Sequence, residues 1–250
     1  MKMAKYKVME DLLTVNPYSR PNKKINKIKG IVIHWVANRN STAQANRNFF
    51  ESRKEGNKGY GSAHEIIDLD GNILVCIPED EMAYHVGSPN PYTKEAIKHL
   101  SSYPNNCTYG IECTHIGYDG EMTKRTYETL VERCADLIVK FNLEDAEKPL
   151  WLHKEVVGWK DCHRWFVYNP KEWELFKEKV KRKVDEMKLK LNETWQWKML
   201  YESVKKLEDK KILTSPKWRE KIENKDISVH ELVWLNTILM ERLSGRDKDE

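Results

Sequence analysis

The sequence predicts an α/β domain followed by a small all-helical module. Short apolar runs of strand character recur between residues 28 and 170, and helical apolar stripes are interleaved with them. From Lys171 onward the composition shifts to Lys and Glu, and the stripes that follow are helical. These patterns place an α/β domain at 1–170, a helical linker at 171–194 and a helical module at 195–250.

Lys29 to Val36 is a continuous run expected of a strand covered on both faces. Ser41 is placed to cap the next helix, which carries Ala45, Phe49 and Phe50. Gly59-Tyr60-Gly61 breaks the chain. His64 to Leu69 and Ile73 to Ile77 then flank Asp70-Gly71, a strong hairpin signal. Tyr109 to His115 is a further strand. Thr123 to Phe141 reads as a helix, with Tyr127, Leu130, Val131, Cys134, Leu137, Ile138 and Phe141 on one face, so Cys134 is read as a small core residue. A short strand then closes the domain at Trp151-Leu152-His153.

Trp173, Phe176, Val180, Val184, Met187 and Leu191 recur at helical spacing, leaving the charged residues between them on a solvated face. Trp197, Leu200, Val204 and Leu207 form the next stripe, broken before Pro216. Ser228 with Glu231 makes a capping box ahead of Leu232, Leu235, Ile238, Leu239 and Met240. With about 50 residues the module has a marginal core, so packing or oligomerisation is expected to support it.

The bulk numbers exclude several classes. Lys and Arg total 43 against 39 Asp and Glu, a net charge of +4 without a long basic run, so nucleic acid is not the expected partner. No stretch approaches the ~20 apolar residues of a membrane span, so membrane insertion is not expected. The start, Met1-Lys2-Met3-Ala4-Lys5-Tyr6, lacks the apolar core of a signal peptide. Cys76, Cys107, Cys113, Cys134 and Cys162 are odd in number and follow no disulfide framework, which fits synthesis in a reducing cytosol.

His34 ends one apolar run, His153 ends another, and Cys162 follows nine residues later. Two imidazoles and a thiolate are three protein ligands, the number that leaves tetrahedral zinc one open position, and the pattern therefore points to a hydrolase. Singly, each of these residues reads as readily as a core histidine or a small buried hydrophobe.

The joint pattern is more specific. Gly30-Ile31-Val32-Ile33-His34-Trp35, Ser62-Ala63-His64-Glu65-Ile66-Ile67-Asp68 with Asp70-Gly71, and Ala83-Tyr84-His85-Val86-Gly87 appear in order. Tyr109-Gly110-Ile111-Glu112 and the segment from His153 to Cys162 complete the series. Over roughly residues 15–170 this resembles the zinc-dependent N-acetylmuramoyl-L-alanine amidases of phage endolysins and peptidoglycan-recognition proteins. The resemblance implies a central mixed β-sheet flanked by helices, and one Zn2+ held by His34, His153 and Cys162. It implies Glu112 as catalytic base and Lys160 as the cation that steadies the oxyanion. An ion-paired strand residue and a solvated loop lysine are the plainer readings of those two.

His85 lies in a motif that usually borders the substrate groove, so it is expected to contact substrate. His64 is a weaker candidate for the same role, because it alternates inward with Ile66 and suits a core or supporting position. Two departures stand out: the spacing from His153 to Cys162 is one residue longer than the family commonly shows, with Trp159 as the insertion, and Ala63 stands where some relatives carry a catalytic tyrosine. His163 replaces a common proline and is read as loop structure. Cys107, Cys113 and His115 suggest a second metal site, with Cys113 and His115 on one strand face, but no fourth partner is evident, so a second zinc is not expected.

The resemblance implies a lysin that cuts peptidoglycan between N-acetylmuramic acid and L-alanine, made in the bacterial cytoplasm and acting on the wall after release. The alternatives are a zinc peptidase cutting within the stem peptide and a non-catalytic peptidoglycan-binding protein, against which Cys162 speaks. The C-terminal module is expected to contact wall polymer or to mediate self-association, with Trp195, Trp197, Trp218 and Trp234 either stacking on sugars or forming its core.

Overall fold

The computed structural model describes residues 6–187, 191 and 193–244. The first and last few residues, and 188–190 and 192 of the expected linker, lie outside the described residues. Two compact units divide the chain at Lys183 and Val184.

In the first unit the strands are β1 (Val8–Glu10), β2 (Gly30–Trp35), β3 (Glu65–Ile67), β4 (Ile73–Val75), β5 (Thr108–Cys113) and β6 (Leu150–Leu152). They form one mixed sheet in the order β1-β4-β3-β5-β2-β6. β3 and β4 are the antiparallel hairpin that Asp70-Gly71 predicts, and the other pairings are parallel. The apolar strand β2 lies between β5 and β6, and Ile31, Val32 and Ile33 are fully buried. The short edge strand β1 is exposed and left no periodic signal in the sequence.

The helices of this unit are α1 (Ala43–Glu51), α2 (Lys94–His99), α3 (Lys124–Lys140), α4 (His153–Val157), α5 (Arg164–Tyr168) and most of α6 (Pro170–Met187), which runs across the boundary at Lys183. α1 starts one residue later than the cap at Ser41 implies. The Thr42 hydroxyl accepts the Ala45 N–H, while Ser41 donates to the Asn38 carbonyl at 2.6 Å. Thr123 and Phe141 cap α3 as its stripe predicts, and Leu130, Cys134, Leu137 and Ile138 are buried. A buried ion pair ties α3 to the sheet: Arg133 grips the fully buried Glu65 through Nε at 3.0 Å and Nη2 at 2.7 Å, and the Tyr109 hydroxyl donates to the same carboxylate. Removing one partner would strand a buried charge, at a cost of about 3–5 kcal/mol.

The sequence puts His153 at the end of a strand, but β6 stops at Leu152 and His153 opens α4. The cause is local: the Glu155 carboxylate accepts the Leu152 N–H at 2.7 Å and pulls the chain into a helical turn. In the span expected to be a linker, Trp173 and Phe176 at the start of α6 are buried. Their rings stack at 5.4 Å, and Phe166 lies 5.2 Å from Trp173 and 5.3 Å from Phe176. This stretch therefore belongs to the core of the first unit.

The second unit contains α7 (Thr194–Asp209), α8 (Lys217–Glu223) and α9 (Val229–Ser244). Trp197, Val204, Leu213, Ile222, Ile227 and Leu235 form its core, with Trp218 packed against it. The Ser228–Glu231 capping box forms in both directions. Trp197 is buried, whereas Trp195 and Trp234 are 59% and 58% exposed. Among the described residues no helix is long and apolar enough to cross a membrane.

Candidate active site

Sheet register builds the site. Ile33 of β2 is aligned with Leu152 of β6, so the residues that follow, His34 and His153, arrive side by side with ring centroids 4.6 Å apart. On the other flank His34 is aligned with Glu112 of β5. Cys162 comes back through a loop. α4 ends at Gly158, whose left-handed φ of +81° favours glycine, and the Lys154 N–H then donates to the Cys162 carbonyl at 2.8 Å. The residue that lengthens this spacing is accommodated at the surface: Trp159 is half exposed and its indole N–H donates to the Ser88 hydroxyl at 2.9 Å.

His34, His153 and Cys162 are all buried, and one ligand atom from each lies within 4.8 Å of the others. The His34 Nδ1 faces the Cys162 Sγ at 3.7 Å. Both ring nitrogens of His153 are buried without a hydrogen-bond partner. Such orphaned atoms are costly unless something else occupies their lone pairs. Burial holds the three groups in their uncharged forms: His34 well below its usual pKa, His153 down at about 3, and the Cys162 thiol up at about 12. Uncharged imidazoles with free lone pairs and a thiol beside them suit a cation that displaces the thiol proton. The residues fit a metal ion.

Glu112 and Lys160 line the same cavity, which has a volume of about 520 Å3. The Glu112 Oε2 is buried without a partner, and desolvation pushes its pKa up to about 8 against the opposing pull of Lys160. Lys160 is exposed at the rim, and its charge lowers the pKa of His153 as well. The sequence did not single out Tyr60, Tyr84, Tyr103, Arg53 or Asn105, which also line the groove. Tyr60, Tyr84 and Tyr103 come from loops, and Arg53 and Asn105 from two separate short helical turns, so no periodicity links them.

The two histidines expected to touch substrate behave differently from that expectation. His64 is fully buried: its Nδ1 accepts the Gly110 N–H at 2.9 Å and its Nε2 faces the Glu81 carbonyl at 2.9 Å. It lies outside the groove and serves the core. His85 does line the groove, but its Nδ1 faces the His34 Nε2 at 3.0 Å and its Nε2 faces Thr108 Oγ1 at 3.0 Å. Neither histidine has a ring nitrogen left for a substrate. His163 packs against Phe166 and does not line the groove.

A buried cluster of three soft and borderline donors, with a carboxyl and a cation lining the same cavity, is an arrangement suited to a metal-dependent hydrolase on a mixed α/β sheet. The sequence model of the N-acetylmuramoyl-L-alanine amidase family matches residues 24–165, and the chain belongs to that family. Members of this family are typically zinc-dependent. A Bacillus licheniformis protein named as a probable N-acetylmuramoyl-L-alanine amidase is 30% identical over 174 residues, which cover 70% of this chain and 47% of that protein. The amidase BlyA of Bacillus subtilis is 28% identical over 179 residues, covering 69% of this chain and 46% of BlyA. This chain thus spans about half the length of the curated relatives it matches. Among solved structures, a mutant endolysin from Bacillus subtilis superposes with a TM-score of 0.53 at 21% identity, covering 70% of this chain and 99% of that one. The catalytic domain of PlyG gives 0.54 at 19% identity, covering 71% and 95%. These likenesses establish the fold.

Proposed function

We propose that this chain is an endolysin-type amidase that hydrolyses the bond between N-acetylmuramic acid and L-alanine in bacterial peptidoglycan. The observation that carries the reading is the pair of orphaned His153 nitrogens beside His34 and Cys162, with Glu112 and Lys160 on the same cavity wall. His34, His153 and Cys162 would hold one zinc ion. Bound there, zinc would polarise the scissile carbonyl and ease ionisation of a water at neutral pH.

The chain's own groups do the rest. Glu112 takes the proton of the attacking water and returns it to the leaving L-alanine amine. Its desolvated carboxyl suits both steps, because a raised pKa makes it a better base and then a ready acid. Lys160, at the rim, neutralises charge that develops on the former carbonyl oxygen. The exposed Trp195 and Trp234 of the second unit support a role in contacting wall polymer or a second copy of the chain. The five free, buried cysteines support synthesis in a reducing cytoplasm, and action on the wall would follow release from it.

Mass spectrometry of digested peptidoglycan tests the reaction. Intact stem peptides freed from glycan are expected, with L-alanine carrying a new amino terminus. Stems cut internally would instead make the protein a peptidase, and wall that is bound but unchanged would make it a receptor.

A further inference from the structure

We infer that His85, backed by Thr108, dictates which nitrogen of His34 is offered to the metal. His85 is then a positioning residue of the metal centre. The inference rests on the reading that His34, His153 and Cys162 hold zinc, and it follows from counting protons along one hydrogen-bonded chain.

The chain starts at Thr108, whose hydroxyl has a single proton and donates it to the Pro104 carbonyl at 2.7 Å. Toward His85 Nε2, 3.0 Å away, Thr108 Oγ1 can therefore only accept. The Thr108 carbonyl, 3.3 Å from the same nitrogen, can also only accept. The proton of His85 must sit on Nε2. With that proton on Nε2, the neutral imidazole of His85 presents a bare lone pair at Nδ1. That lone pair meets His34 Nε2 at 3.0 Å, and His34 must donate from Nε2. A neutral His34 then has its lone pair on Nδ1, the atom that faces Cys162 Sγ. Ligation needs exactly that free pair, and the nitrogen opposite a metal commonly donates to a fixed acceptor.

The acceptor is held in place by more than the ring contacts. The His85 and Val86 N–H groups both donate to Asn105 Oδ1, at 3.1 and 2.9 Å. The ring lies against β5 where Gly110 has no side chain, and a Cβ there would fall 2.6 Å from His85 Cγ. A neutral imidazole in this role also has an electrostatic consequence. A carboxylate partner would add a negative charge beside the ion, whereas His85 adds none. With one thiolate ligand, a zinc centre here keeps a net positive charge for polarising substrate.

Three proteins test this: the parent, His85→Leu and His85→Asn, each loaded with zinc and titrated against a chromophoric chelator. Asparagine can place Oδ1 near the former Nδ1 and still accept from His34. Zinc affinity is expected to fall about 10–100-fold in His85→Leu and to stay within about threefold of the parent in His85→Asn. The cobalt-substituted absorption spectrum should change in the leucine variant alone. Equal zinc affinity and an unchanged cobalt spectrum in a folded His85→Leu would overturn the inference, as would equal weakening in both variants. A parent that binds no zinc would overturn the metal reading together with it. Independently of any variant's folding, 15N NMR of the metal-free parent reads the tautomers. Both His34 and His85 are expected as Nε2–H forms, and an Nδ1–H form at His34 would refute the relay.

Discussion

His34 and Glu112 are direct register partners on the adjacent parallel strands β2 and β5. Because side chains alternate along a strand, the pairing delivers the His34 imidazole and the Glu112 carboxyl to the same face at the same height. A slip of one residue between the two strands would put the imidazole and the carboxyl on opposite faces of the sheet. The long apolar run before His34 therefore does more than fill the core: it fixes the register that brings the two groups together.

If Glu112 is the proton acceptor, Glu112→Gln keeps the shape of the site and removes the base. Turnover of soluble muramyl peptide is expected to drop by about 10²–10⁴, the usual contribution of a positioned acid–base group, with zinc content unchanged by elemental analysis. Near-full activity with zinc in place would mean that another group takes the proton.

The raised pKa of Glu112 sets a pH dependence with a definite sign. Without metal its carboxyl is protonated below about 8, against an ordinary value of 4.5. A base must be ionised, so kcat/KM should rise with pH through its pKa. Lys160 pulls that value down and a bound zinc ion would pull it further, which puts the acid limb between 4.5 and 8. Folding stability runs the other way. The folded pKa lies above the unfolded one, so this contribution is fully present below 4.5 and is lost as pH rises toward 8. Glu112→Gln should therefore raise the melting temperature of the metal-free protein at pH 8 and abolish the acid limb of any residual rate.

Lys160 acts on the same limb from the outside. Its charge lowers the Glu112 pKa, so Lys160→Met should move the acid limb upward in pH. If it also steadies the oxyanion, kcat should fall about 10²–10³-fold with KM little changed. A pH-rate profile at saturating and limiting substrate separates the two effects. A loss confined to KM would make Lys160 a binding group instead.

The clustering of His34, His153 and Cys162 was legible because imidazoles closing apolar runs, with a cysteine at that spacing, are chemically unusual. The groove was not, since Tyr60, Tyr84 and Tyr103 are ordinary loop aromatics until the fold brings them together. His64 and His85 look alike in sequence, each flanked by apolar residues. What separates them is the partner opposite each ring: the backbone of Gly110 and Glu81 for one, His34 for the other. The α6 stripe revealed a helix and its buried face, but an amphipathic pattern does not name the surface it packs on. Hence Trp173 and Phe176 read as linker while they belong to the first unit's core.

His64 also predicts an acid sensitivity. Burial drives its folded pKa down to about 4 from 6.5, and its bare Nδ1 accepts the Gly110 N–H. The stabilisation is complete above 6.5 and is lost as pH falls toward 4, at about 1.4 kcal/mol per pH unit for one such group. Urea midpoints of the metal-free protein at pH 7 and pH 5 should show that loss. His64→Gln, which cannot gain a proton, should flatten the slope even if it lowers the starting stability.

The aromatic cluster at the start of α6 decides where the chain can be cut. A truncation ending at residue 172 removes Trp173 and Phe176, which are buried against Phe166, and exposes the face they cover. Losing each large aromatic costs about 3–5 kcal/mol, comparable to the whole stability of many domains. That fragment should aggregate or melt far below the parent. A truncation ending at residue 187 retains the full helix and should fold, bind zinc and cleave soluble muramyl peptide at the parent's rate. Its binding to whole cell walls then isolates what the second unit contributes: reduced retention in a pelleting assay supports a docking role for α7 to α9, and undiminished retention removes it.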